Sequence, residues 1–186
     1  MKRKALIVTG LVFCAAALIA YIVTATSWAQ PAAESSRTIA PRVSVAANED
    51  LPTPLPYPYD ESADAMALVD AALARARENG KRVLIDLGGN WCPWCRILAG
   101  VMELPEVKPF IGAHFEVVSV DVSSAQGKID RNLDVTARFD TPDIDGVPWM
   151  IVLESDGTVL HSSYEVTDKN HETPQQMVNW LASWAR

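Results

Sequence analysis

Val83-Leu84-Ile85-Asp86-Leu87 is an apolar run of strand length, and Gly88-Gly89-Asn90 and Trp91-Cys92-Pro93-Trp94-Cys95 follow it at once. That order constrains the fold more than any other feature of the chain. A short continuous apolar run bounded by glycine predicts a strand buried on both faces. Proline directly after Cys92 predicts the first turn of a helix, because the amide it lacks would be unpaired there anyway. A buried strand that turns straight into a helix requires helices layered on a sheet.

The remaining pattern extends this reading. Ala65, Leu68, Val69, Ala72, Leu73 and Ala76 recur at helical spacing within 60–79, with Asp60 or Ser62 available as N-cap and Gly80 as the stop. The helix that starts at Pro93 is expected to run to about Glu103, before Pro105. Phe115 to Val122 reads as a second strand and Ser123 to Arg138 as a helix. Trp149 to Glu154 and Thr158 to Ser163 read as strands joined across Ser155-Asp156-Gly157, where Asp-Gly supplies the positive φ of a tight hairpin. Thr173 to Arg186 closes the chain as a helix with Met177, Trp180, Leu181 and Trp184 on one face, a stripe suited to core packing. The fold class is therefore α/β, a central mixed sheet flanked by helices, with parallel pairs from the crossovers and an antiparallel pair from the hairpin.

Three regions divide the chain. Met1-Lys2-Arg3-Lys4 is basic, residues 5–23 carry no charge, and small residues at Ser27 and Ala29 precede Gln30, which is the layout of a secretory signal cleaved after Ala29. The apolar stretch is also about long enough to span a bilayer, so residues 1–29 are either a cleaved signal or an uncleaved anchor, and both readings export the remainder. Cys14 lies in this stretch, and Phe13 before it does not suit a lipoprotein processing site. Residues 30–59 are rich in Pro, Ala and Ser, end with proline at alternate positions from Pro52 to Pro58, and read as an extended spacer; a docking segment for a partner is the alternative. Residues 60–186 form the single domain.

Loss of residues 1–29 removes three positive charges and no negative ones, which leaves 13 basic against 23 acidic side chains and a formal net charge of −10. An acidic surface argues against nucleic acid or anionic lipid as the main partner, since both need clustered Lys and Arg. The expected location is periplasmic or otherwise outside the cytoplasm. Membrane contact is expected only through residues 5–23, if they are retained.

Cys92 and Cys95 are then the only thiols of the exported part. At a helix N-cap the Cys92 sulfur faces unpaired backbone amides and the positive end of the helix dipole, both of which favour thiolate. Cys95 lies one turn on, on the same face, within reach of a small disulfide ring. This arrangement makes Cys92 the attacking thiol and Cys95 the resolving one. Copper or zinc handling is the competing use, but zinc takes three or four protein ligands, and His114, His161 and His171 show no ligand spacing.

The stretch from Val83 to Cys95 resembles the strand and Trp-Cys-x-x-Cys site of the thioredoxin superfamily, and Gly146-Val147-Pro148 resembles that family's cis-proline loop. The resemblance covers residues 60–186 and implies a thioredoxin-like fold and a thiol:disulfide oxidoreductase. It implies that Asp86, six residues before Cys92, is a buried carboxyl of raised pKa that exchanges a proton with Cys95. It further implies that Val147-Pro148 is cis and offers a backbone edge to substrate, and that Trp91, Pro93 and Trp94 border the reactive sulfur. No cofactor beyond the redox-active pair is implied. The implied partners are exported proteins with thiols or disulfides, and a membrane or soluble redox partner that resets the pair. Pro93-Trp94 replaces the Gly-Pro of reducing thioredoxins, so the direction of electron flow stays open. Arg96 keeps a positive charge after the motif, and the acidic stretch 140–145 is longer than in minimal thioredoxins. A thioredoxin-like binding module without catalysis is the remaining alternative.

Overall fold

The computed structural model describes residues 38–186, except 142–143 and 169–170. The signal or anchor with Cys14, the first part of the Pro-rich region and Pro142-Asp143 of the acidic loop lie outside the described residues.

The first helix, α1, is Ala65–Asn79, followed by strand β1, Arg82–Gly88. Its N-cap is Asp64, whose carboxylate accepts from the Ala67 amide, and not Asp60 or Ser62; Asp60 is used instead in a local turn with the Ser62 amide and hydroxyl. Gly80 ends α1 with φ of 68°. Helix α2 is Pro93–Met102, and a further short helix, α3, is Lys108–His114. Strand β2, Phe115–Asp121, pairs in parallel with β1.

The polar stretch after β2 departs from the expected continuous helix. Ser123–Ala125 (β3) and Lys128–Ile129 (β4) form a small hairpin around Gly127, at φ 76°, and only Leu133–Arg138 (α4) is helical. Strands β5, Trp149–Leu153, and β6, Val159–Ser163, form the anticipated antiparallel pair, and α5, Pro174–Ser183, closes the chain under a Thr173–Gln176 capping box. The sheet order is β2-β1-β5-β6, with β5 antiparallel to β1, so the second crossover does not give a parallel pair.

Alternation along β1 divides the core into two layers. Val83, Ile85 and Leu87 pack with Val69, Ala72 and Leu73 of α1. Leu84 packs on the opposite face with Leu98 and Val101 of α2 and Met177 and Leu181 of α5. Asp86 and Gly88 share the parity of Leu84, so both face the α2 side.

Residues 38–59 are not a free spacer. Leu51 is buried in the α2/α5 layer. Gln175 grips the segment, accepting from the Val43 amide at 3.0 Å and donating to the Pro41 carbonyl at 3.0 Å. Arg96 donates to the Leu55 and Pro56 carbonyls and stacks 3.9 Å over the Tyr57 ring. Gly100 of α2 permits this approach, since a Cβ there would stand 2.9 Å from a Leu55 methyl. The strap is not extended throughout, since Asn48–Asp50 form a 3₁₀ turn; residues 52–58 hold no helix or strand, and the strap's carbonyls accept hydrogen bonds while its apolar side chains pack across the domain. Leu51→Ala should therefore cost about 2–5 kcal/mol in urea unfolding; a loss below about 0.5 kcal/mol would return the strap to a spacer.

Candidate active site

Strand β1 ends at Gly88 and the chain turns through Gly89-Asn90 to Cys92, the N-cap of α2. Cys92 Sγ accepts the Cys95 amide at 3.1 Å, and Pro93 occupies the first helical turn where no amide is needed. The two cysteines are joined as a disulfide, and both are buried. A capping sulfur that receives a backbone N–H is placed to be stabilised as a thiolate once the bond is reduced.

Asp86 of β1 has no exposed surface and reaches the cysteine cluster through Tyr59. Its Oδ2 accepts from the Tyr59 hydroxyl at 2.8 Å, while Oδ1 is buried and has no hydrogen-bond partner among the described residues. Burial raises the Asp86 pKa to about 7, and the Tyr59 hydrogen bond works in the opposite direction. The Tyr59 phenol is itself pushed well above its ordinary value, first by burial and then by the Asp86 charge. Tyr59 and the two cysteines form one apolar cluster, against which Trp91 and Val147 pack.

Gly88 shows how closely these groups approach. A Cβ there would stand 2.9 Å from Cys95 Sγ and would collide with the Tyr59 hydroxyl. Asn90 fixes Tyr59 from the turn, accepting from its amide at 3.2 Å and donating to its carbonyl at 2.7 Å. On the other side, the Val147 carbonyl oxygen lies 3.6 Å from Cys92 Sγ, and the Val147–Pro148 peptide is cis.

The structure thus gathers Asp86, Trp91, Cys92, Cys95, Val147 and Pro148 about one point. Trp94 stands outside the sulfur cluster, 38% exposed, with Pro93 also exposed beside it. The Trp91 indole folds over Gly89, its Nε1 buried without a partner among the described residues. Arg96 is committed to the strap carbonyls and the Tyr57 ring. Tyr59 is the site residue that sequence reasoning missed; its one signal was an aromatic at the very end of a Pro-rich run.

The raised Asp86 pKa has a measurable sign. Between its ordinary value of 3.8 and about 7, the folded protein holds a proton that the unfolded chain has released. Stability therefore falls as pH rises through that window and levels off above it. Asp86→Asn removes the effect, so the variant should gain on the wild type by on the order of 4 kcal/mol between about pH 4 and pH 7. Urea unfolding of both oxidised proteins across pH measures this, and a difference independent of pH would show that Asp86 ionises as it does in water.

Comparison with known proteins places this geometry in a family. A thioredoxin-like family model matches residues 64–155. The chain is 35% identical over 74 residues to a thioredoxin of Alicyclobacillus acidocaldarius subsp. acidocaldarius, covering 40% of this chain and 62% of that one. It is 44% identical over 52 residues to an H-type thioredoxin of Oryza sativa subsp. indica, covering 28% of this chain and 42% of that one. It thus spans less than two thirds of the length of either thioredoxin. The crystal structure of a disulphide isomerase from Xylella fastidiosa Temecula1 matches more fully, with 35% identity and a TM-score of 0.61 over 69% of this chain and 96% of that one. With a buried strand feeding a Cys-capped helix, and with this likeness along almost the whole of a solved relative, the chain belongs to the thioredoxin superfamily.

Proposed function

We propose that the protein is a thiol:disulfide oxidoreductase that exchanges disulfides with cysteines of exported proteins. The observation that carries this reading is the Cys92–Cys95 disulfide at the start of α2, clustered with Tyr59, whose hydroxyl bonds the buried Asp86 carboxyl. In the reducing direction, the Cys92 thiolate attacks a substrate disulfide, forms a mixed disulfide and releases one substrate thiolate. Cys95, deprotonated with Asp86 as proton acceptor, then attacks Cys92 Sγ; the second substrate thiolate leaves, and the pair ends oxidised. A redox partner outside this chain must then reduce it. The pair needs no cofactor for these steps.

The backbone at Val147-Pro148, set beside Cys92 Sγ, is the surface against which an extended substrate segment would pair. Trp91 would close the other side, with Pro93 and Trp94 at the rim. The likeness to the Xylella isomerase supports the isomerising direction, in which Cys92 must be kept reduced to attack wrong disulfides. Export through residues 1–29 fits this reading, because disulfides persist in oxidising compartments.

The wild-type protein should reduce an insulin disulfide in the presence of dithiothreitol, and Cys92→Ser should reduce the rate to background. Cys95→Ser should accumulate a mixed disulfide visible on a non-reducing gel. Absence of turnover by the wild type sinks the proposal. The reduction potential of the pair, titrated against glutathione, then fixes the direction: a low value marks a reductant and a high value an oxidant.

A further inference from the structure

We propose that Tyr59 is a positioning residue for proton transfer at the cysteine pair: its hydroxyl fixes Asp86 through Oδ2 and leaves Oδ1 as acceptor for the Cys95 proton. This rests on the reading of Cys92 and Cys95 as an exchanging pair, and it gives the strap a part in that chemistry.

Four observations support it. Tyr59 donates to Asp86 at 2.8 Å from a position only 2% exposed. Its backbone is held on both sides by Asn90, in the turn that also delivers Cys92. The phenol and Cys95 Sγ crowd the same point above Gly88, two residues beyond Asp86 on the same face of β1. Of the two carboxyl oxygens, Oδ1 is the one that accepts no hydrogen bond, buried and unpartnered among the described residues.

The choice of a phenol has a chemical consequence. A carboxyl buried with no donor would keep its proton, and one paired with a cation would hold no proton at all. A neutral O–H stabilises the carboxylate by one hydrogen bond without cancelling its charge, so the group can both take and return a proton. Burial and the Asp86 charge hold the phenolic proton in place, so Tyr59 remains a donor. The other titratable groups around the pair are Cys92 and Cys95 on α2 and Asp121 on β2, itself ion-paired with Arg131.

In the resolving step the Cys95 S–H bond breaks and its proton goes to Asp86 Oδ1. The sulfur electron pair forms the bond to Cys92 Sγ, the Cys92–substrate bond breaks, and the departing substrate thiolate takes a proton from solvent. In the reverse direction Asp86 returns its proton to Cys95.

The test follows the Asp86 carboxyl carbon by NMR as the oxidised protein is titrated. Tyr59→Phe should move its midpoint upward by about one pH unit, the scale of one lost hydrogen bond to a charged group. The acid limb of turnover with insulin and dithiothreitol should move with it. In an Asp86→Asn background, Tyr59→Phe should have no further effect on rate; an additive loss there would mean that Tyr59 acts only on packing and would overturn the assignment. Should the Phe variant fail to fold, wild-type protein grown with 3-fluorotyrosine carries a more acidic phenol at the same place, and its Asp86 midpoint should move downward. An unmoved midpoint in either protein overturns the assignment of Tyr59 while insulin turnover by the wild type stands. Absence of that turnover removes the redox reading and this proposal together.

Discussion

A carboxyl group in the middle of a buried strand is the constraint around which this molecule is arranged. Asp86 sits among apolar residues, and among the described residues its carboxyl has no counter-ion, only the Tyr59 hydroxyl. A charge so placed costs several kcal/mol, and that cost explains why the group stays protonated to near neutrality. The neighbouring features follow from it. Gly88 has no side chain because the phenol and the Cys95 sulfur meet over it, and Asn90 spends its amide on the Tyr59 backbone.

The cysteine pair draws on two separate physical sources. The cap position at α2 acts on Cys92 through backbone amides and needs only the local sequence Cys-Pro. In the proposed mechanism the carboxyl acts from β1, across the strand-to-helix turn, and takes its donor from the strap. Thiolate stabilisation at Cys92 and proton exchange at Cys95 can thus vary independently among relatives with the same motif.

Much of this was legible because it is local. An apolar run, a Cys-Pro helix start and an Asp-Gly turn each declare themselves within a few residues, and the α/β class followed from their order. What escaped was either short or long-range. Helix α3 carries Pro109 in its first turn and has a single buried residue, Ile111, so it showed no periodicity. The β3–β4 hairpin has too few apolar residues to show alternation. Tyr59 pairs with a partner 27 residues away, and its surroundings had the composition of a spacer. Composition excluded a long helix from the strap; it carried no information about where Leu51, Leu55 and Tyr59 would find apolar surface.

That strap alters where the module begins. The helical pattern starts after Asp60, and a recombination or gene fusion that cut there would transplant the motif, the sheet and both layers of helices. It would leave behind the Tyr59 hydroxyl that bonds the buried carboxyl and Leu51 of the α2/α5 layer. The heritable unit therefore takes in the strap from Pro41 onward, and a shuffled domain lacking it would keep its thiols while Asp86 lost the Tyr59 hydroxyl.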